Sequence, residues 1–360
     1  MLPCIFDEAN DGGVSYTSAM RAFVVRALML VFSVTAVAGV AQSPAGQQSE
    51  QPYTLRSQAN VVLVPASVRT KQGDVIYALK AAQFVVEDNG VPQTIHLDED
   101  TDSLGLTMVV LVQCSRAAVA EYSKLTGLGT MVDALVGGAP RQIAVASYGK
   151  EATLLGDFSS EPDATSAALG HLEPCDDSEA ATFDAVAWAS ALLDERKDHN
   201  RHAILLISET RDHGSHKKPA DVIASLGRTN TVVDAVSFSP GKTEILGDLR
   251  YGGGSGPIGL MVMAVNAAKK NAPRALAELS GGEYVNFTTQ KGFDSGLHQL
   301  GNRIHNYYLL SFTPQAAANG EPAPGLHSIR VRVPDYPDAR IGSRQSYFSG
   351  SLDNLPSEAQ

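Results

Sequence analysis

The chain has 360 residues, 44% of them hydrophobic and 19% charged, with a formal net charge of −11. That is long enough for one sizeable α/β domain and a smaller one. An acidic chain without a basic run excludes nucleic acid as the expected partner and argues against adhesion to an anionic membrane surface.

Arg21 and Arg26 precede an apolar run, Ala27–Val40, that ends in the small residues Gly39-Val40-Ala41. This is the pattern of a secretory signal peptide with its cleavage site. The run is shorter than the about 20 apolar residues of a comfortable membrane span. An uncleaved N-terminal anchor is the other reading of it. Met1–Thr17 carries no targeting pattern, which makes Met20 the expected start. The expectation is therefore a leader over 1–41, a secreted or periplasmic protein, and no membrane span after cleavage. A polar linker over 42–57 follows.

Residues 58–103 read as an N-terminal β unit. VVLVPASVRT is a strand, Lys71-Gln72-Gly73-Asp74 a turn, and FVVED and PQTIHL a hairpin joined at Asn89-Gly90. From 104 to 304 strands alternate with helices. TMVVLV (107–112) leads to a helical stretch with Val119, Tyr122, Leu125, Val132 and Leu135 at helical spacings, closed by Gly137-Gly138. QIAVASY and ATLLGDF are short strands, and Pro162–Leu172 is a short helix. Thr182–Leu193 is a second helix, with Phe183, Val186, Ala189 and Leu193 on one stripe. AILLI (203–207), a helix over 220–226, TVVDAVSF, a helix over 273–279, EYVNF and a helix over 292–303 complete the series. Such alternation predicts an α/β fold, a mostly parallel central sheet with helices on both faces. The glycine-rich stretch 240–262 breaks the pattern, as a plain insertion or as a partner-contacting loop. Residues 305–350 return to strands, with Ile329, Val331 and Val333 alternating against Arg330 and Arg332. This C-terminal β unit and the N-terminal one are expected to pair into a small β-sandwich into which the α/β domain is inserted. Residues 351–360 are a tail.

In open α/β sheets, ligands collect beyond the carboxyl ends of the strands. Gln113-Cys114-Ser115 and Ser208-Glu209-Thr210 stand at two such ends, with Thr182 between them in sequence. The strand, polar loop and helix over 107–136, the isolated Thr of TFDA at 182–185, and AILLISET at 203–210 resemble the von Willebrand factor type A (VWA) domain. With the leading VVLVPASVRTKQGDVIYAL unit and the trailing NYYLLSFTP and HSIRVRVP segments, the chain is similar to the acidobacterial VWFA-related proteins over roughly residues 58–348. The fold this implies is a Rossmann-like VWA domain. The resemblance also implies a metal-ion-dependent adhesion site (MIDAS), built from Asp-x-Ser-x-Ser, a Thr and an Asp.

Here the Asp position is Gln113, the first Ser is Ser115, the second is Ala117, the Thr is Thr182 and the last Asp is Glu209, with Arg116 beside them. Mg²⁺ prefers octahedral oxygen ligands with a carboxylate close by. A neutral amide, a lost hydroxyl and a guanidinium all weaken that. The expectation is a degenerate site with no cofactor, in which Gln113, Ser115, Thr182 and Glu209 hydrogen-bond one another and Arg116 pairs with Glu209. The alternative is a metal-dependent adhesion receptor in which Ser115, Thr182 and Glu209 ligate Mg²⁺.

In the implied topology the loops bearing Cys114 and Cys175 are neighbours. A disulfide there would close a loop of about 60 residues and contribute roughly 4 kcal/mol; two free thiols are the other reading. Cys114 and Ser115 at a strand end suggest an exported hydrolase as a third reading, but the Gly-x-Ser-x-Gly pattern is absent. His213 with His216, and Asp176-Asp177 with Glu179, read as solvated loops before they read as metal sites. Trp188 and Tyr307-Tyr308 read as packing. The preferred function is a non-enzymatic, exported interaction module presenting loops 113–117, 174–182 and 208–218 to a protein partner.

Overall fold

A computed structural model describes residues 61–98, 105–138, 140–198, 200–238, 268, 270–315 and 323–349. The expected leader, the linker, the glycine-rich stretch 240–262 and the tail lie outside the described residues.

Strand β1 (Val62–Arg69) buries Val62, Val64, Ala66 and Val68, the alternate residues of a pleated strand. β2 (Val85–Asp88) enters the Asn89-Gly90 turn, where both residues have positive φ, 49° and 82°. That is the geometry Asn-Gly favours in a two-residue hairpin. The second arm of the hairpin, β3, is only Val91–Pro92. Proline lacks the N–H that would extend the ladder. The chain leaves, and β4 (His96–Asp98) joins another sheet, against Leu309–Ser311. The single strand expected over PQTIHL is thus two short pieces in two sheets.

The α/β elements then follow in sequence. They are β5 (Leu106–Gln113), α1 (Leu128–Val136), β6 (Arg141–Tyr148), β7 (Ala152–Ser159), α2 (Pro162–Leu169) and α3 (Thr182–Asp194). After these come β8 (Arg201–Glu209), α4 (Pro219–Arg228), β9 (Val232–Phe238), α5 (Ala272–Ser280), β10 (Tyr284–Phe287) and α6 (Gln290–His305). Six strands form one sheet in the order β10-β9-β8-β5-β6-β7. All neighbours are parallel except β6 with the edge strand β7. Every residue of β5 is buried, as expected of a strand covered on both faces. On one face Phe183, Val186, Val222 and Leu276 from α3, α4 and α5 pack on Val109 and Leu111. On the other, Leu128, Val132 and Phe293 from α1 and α6 pack on Met108 and Val110.

One expected helix is broken. Residues Arg116–Lys124 form a 3-10 helix, and Gly127, with φ of 82°, separates it from α1. Three residues per turn rotate the stripe read at 3.6, so Val119 is 50% exposed while Val132 and Leu135 are buried.

β11 (Tyr308–Phe312), β12 (Gly325–Arg332), β13 (Arg340–Ser343) and β14 (Ser346–Ser349) complete the chain. They join the first strands in two four-stranded sheets, β13-β1-β11-β4 and β14-β12-β2-β3. Their inward side chains, among them Val64, Phe84, Val86, Leu310 and Ile329, form one apolar cluster. The segments before and after the α/β elements are therefore paired, β1 with β11 and β2 with β12.

A buried polar cluster ties β2 to β12 and β14. His327 places Nδ1 2.8 Å from Asp88 Oδ1 and Nε2 2.7 Å from the Ala323 carbonyl. Tyr347 donates to Asp88 Oδ2 at 2.7 Å. Burial by itself disfavours an imidazolium, but acceptors on both ring nitrogens and the Asp88 charge outweigh it and raise the His327 pKa. Ser349 Oγ lies 3.2 Å from His327 Nε2, so Ser, His and Asp stand in line. A ring protonated at both nitrogens donates to the Ala323 carbonyl and is not a base for Ser349.

Because the folded pKa of His327 lies above its unfolded value of about 6.5, its stabilisation is complete below that pH and is lost as pH rises through the folded value. Melting temperature measured from pH 5 to 9 should therefore show an alkaline decline that Asp88→Asn flattens. Equal slopes for the two proteins would show that this pair does not titrate.

Candidate functional site

The carboxyl ends of β5, β6 and β8 bring Gln113, Tyr148 and Glu209 to one end of the sheet. Gln113 and Tyr148 are in register across β5 and β6. Gln113 is 1% exposed, so its carboxamide finds its partners within the protein. The Glu209 backbone N–H donates to Gln113 Oε1 at 2.8 Å. A backbone N–H can only donate, which fixes the amide orientation. Gln113 Nε2 then donates to Ser115 Oγ at 2.7 Å and to Glu209 Oε1 at 2.9 Å. The other Glu209 oxygen, Oε2, lies 3.6 Å from His213 Nε2.

Two expected contacts differ. Thr182 does not join this network; its hydroxyl lies 3.2 Å from Tyr148 Oη and donates to the Ala180 carbonyl. Arg116 opens the 3-10 helix and is exposed, and the basic side chain that reaches Glu209 is His213. The pKa of Tyr148 is pushed above its usual value, by complete burial first and by the Glu209 and Asp212 charges as well. The phenol stays neutral as a fixed partner for Thr182.

Loops lock this end of the sheet. Cys114 and Cys175 are joined by a disulfide, and the Cys175 N–H also donates to the Cys114 carbonyl at 2.8 Å. The Arg116 N–H donates to the Asp177 carbonyl, and Asp177 Oδ2 accepts from the Lys150 N–H. Tyr122 Oη donates to the carbonyls of Gln113 and Glu173, each at 3.2 Å, and burial raises its pKa to about 12. The loop after β8 runs beside the loop before α3, with Ala180 and His213 exchanging backbone hydrogen bonds.

That loop also caps α3. Ala180 and Ala181 precede Thr182 and have no side chain to cap with. Instead Ser215 Oγ accepts from the N–H groups of Phe183 and Asp184 at 3.0 and 3.3 Å, and Asp212 Oδ1 accepts from Phe183 at 3.2 Å. These meet first-turn donors that the helix itself leaves unpaired. Asp184 in turn accepts from the backbone of His216 and Lys217 and from the His216 ring. Partial burial would raise its pKa, but these hydrogen bonds prevail and lower it.

The donor set does not fit Mg²⁺. An ion between Ser115 and Glu209 would occupy the place of the Gln113 N–H groups, and the Thr182 hydroxyl is committed to Tyr148 and Ala180. Nor does the geometry suit acyl transfer, since the side-chain partner of Ser115 Oγ among the described residues is an amide, not a histidine. Among the described residues no group of three His, Cys, Asp or Glu converges as a metal set. Trp188, expected in the core, is half-buried against it. Tyr148 was not singled out in the sequence, and Asp212, His213 and Ser215 were read there only as parts of a solvated loop. The available signal was position: Tyr148 ends a strand, and the other three follow one.

No protein-family model matches this chain, and no curated protein matches it. Among solved structures it is similar to the conserved hypothetical protein BatB from Bacteroides thetaiotaomicron, at 14% identity and a TM-score of 0.38, covering 55% of this chain and 100% of that one. It is also similar to proximal thread matrix protein 1 from the mussel byssus with a zinc-occupied MIDAS motif, at 12% identity and a TM-score of 0.43. That match covers 60% of this chain and 49% of the mussel protein. An aerotolerance-related membrane protein from Bacteroides fragilis is 14% identical, with a TM-score of 0.39 over 55% of this chain and 100% of its own.

Two predictions concern this end of the sheet. Replacing Cys114 and Cys175 together by serine should lower the unfolding free energy by about 4 kcal/mol, the entropy of a loop of about 60 residues. Urea unfolding reads this, and an unchanged midpoint would mean the hydrogen bonds hold the loops unaided. Gln113→Ala should cost about 2–4 kcal/mol, because it strips donors from a buried carboxylate and an acceptor from a buried N–H. The same urea curves measure that loss.

Proposed function

We propose that this protein is an exported, non-enzymatic interaction module of the von Willebrand A type, whose adhesion-site face binds a protein partner without a divalent ion. The observation that carries the reading is the Gln113 amide, whose N–H groups bridge Ser115 Oγ and Glu209 Oε1. Those are two of the oxygens a MIDAS cation would bridge. A neutral hydrogen-bond donor stands there in place of a metal, and the loops are held closed without one.

The order of polar residues on the strand ends supports the VWA assignment. Gln113 ends β5, Ser115 follows it, Thr182 opens α3, and Glu209 ends β8. In this reading they are the first-loop, second-loop and third-loop positions of such a site. The presenting surface is then 113–117, 174–182 and 208–218. Residues 58–103 and 305–350 act as a β-sandwich carrier for the α/β domain over 104–304. Export is supported by the leader pattern over 1–41 and by the Cys114–Cys175 disulfide, a bond that persists in oxidising compartments. No helix among the described residues is long and apolar enough to cross a membrane.

Calorimetric titration with Mg²⁺ and with Mn²⁺ should give no binding heat and no change in melting temperature for the natural chain. Restoring the missing ligands with Gln113→Asp and Ala117→Ser should produce a melting temperature that rises with Mn²⁺ concentration. A partner retrieved from the native cell envelope should be retained equally in magnesium and in chelator. Saturable Mg²⁺ binding by the unmodified protein, or loss of the partner in chelator, would overturn the reading.

A further inference from the structure

At the other end of the sheet, the amino ends of β5, β8 and β9 meet β1 and β11 around a cavity of about 320 Å³. Leu63, Pro65, Leu106, Ala203, Val232 and Leu309 give it apolar walls. Its size falls within the range of small-molecule sites, which begins at roughly 300 Å³. None of the residues of the adhesion-site face lines it.

The polar groups around this cavity are unevenly satisfied. The acceptors are engaged. Asp198 receives hydrogen bonds from Thr107 Oγ1 at 2.7 Å, the Asn200 N–H at 3.1 Å and His202 Nε2 at 3.0 Å. Partial burial works against its charge, but these donors prevail and hold the carboxyl below its usual range. Asn230 Oδ1 receives Arg344 Nη1 at 2.7 Å, and Asp234 Oδ1 receives the Glu283 N–H at 2.8 Å.

Donors remain open. Arg201 Nε is buried without a hydrogen-bond partner, and the Arg201 guanidinium lies over the Tyr307 ring, 4.9 Å from its centroid. With the Asn230 oxygen committed, its N–H₂ is the end left to offer. A buried N–H without an acceptor costs about 1–3 kcal/mol, so a ligand that supplied an acceptor there would recover that cost. A guanidinium presents a planar fork, the shape that takes a carboxylate through two parallel hydrogen bonds. A cationic ligand would meet Arg201 head-on. A purely apolar one would leave Nε as it is.

We propose that this cavity binds a compact monocarboxylate with an apolar body, its carboxylate seated on Arg201 and its body against Leu63, Pro65 and Leu309. The site is independent of the adhesion-site face and of any partner bound there.

Hexanoate, hexan-1-ol and hexylammonium share a chain length and differ in the head group, so they serve as probes. Isothermal titration of the full chain should show saturable binding of hexanoate and at least ten-fold weaker binding of the other two. Arg201→Gln should weaken hexanoate ten-fold or more. Leu63→Trp, which fills the cavity and leaves Arg201 in place, should do the same, and it decides the matter if the arginine variant does not fold. The proposal is overturned by the absence of saturable hexanoate binding at millimolar concentration. Equal affinity for the alcohol or the amine, or hexanoate affinity unchanged by Leu63→Trp, would overturn it as well.

Discussion

A carboxamide shut between two strand ends cannot draw its hydrogen bonds from water, and the top of this sheet is arranged around that constraint. Each unpaired buried polar group costs about 1–3 kcal/mol. Gln113 therefore requires the Glu209 N–H on one side and the Ser115 and Glu209 oxygens on the other. Those demands fix where β5 and β8 end relative to each other. Beside that network, the Cys114–Cys175 disulfide and the Ala180–His213 backbone pair hold the neighbouring loops. Thr182 with Tyr148, and Ser215 with the first turn of α3, follow the same rule.

One chemical consequence is that the top of the sheet is a closed surface. Its buried Ser115 and Glu209 oxygens accept from the Gln113 amide. Among the side chains that face solvent there are Arg116, Asp176, Arg211, His213, His216 and Lys217. The bottom of the sheet has the opposite character, with apolar walls, filled acceptors and one guanidinium nitrogen unpartnered. The two ends thus differ in their chemistry.

The β segments that flank the α/β elements are held by their own buried polar groups. The Asp88, His327 and Tyr347 cluster joins β2, β12 and β14. Arg344 is completely buried, with Nη1 on Asn230 and Nε 3.5 Å from the Ser280 carbonyl. Burial lowers its pKa to about 10, which still leaves it charged at neutral pH. An arginine in such a place anchors the β13–β14 connection to the end of α5. Neither feature was visible as a motif, since their members are separated by tens to hundreds of residues.

Periodicity, turn chemistry and charge were local, and the sequence alone determined what they specify. Continuous apolar runs named β5 and β8, the Phe183–Leu193 stripe named α3, and Asn89-Gly90 named its turn. Gln113, Ser115, Thr182 and Glu209 were legible as strand-end and helix-start residues. The break at Gly127 and the split at Pro92 were misread because one glycine or proline overrides a pattern averaged over a longer window. Only the tertiary structure decided which polar groups meet. Glu209 takes His213 and not Arg116, Thr182 takes Tyr148, and a helix with alanines at its start is capped from a loop some thirty residues downstream. A buried donor or acceptor is satisfied by whatever group the fold brings within about 3 Å, and that proximity is a property of the packed chain.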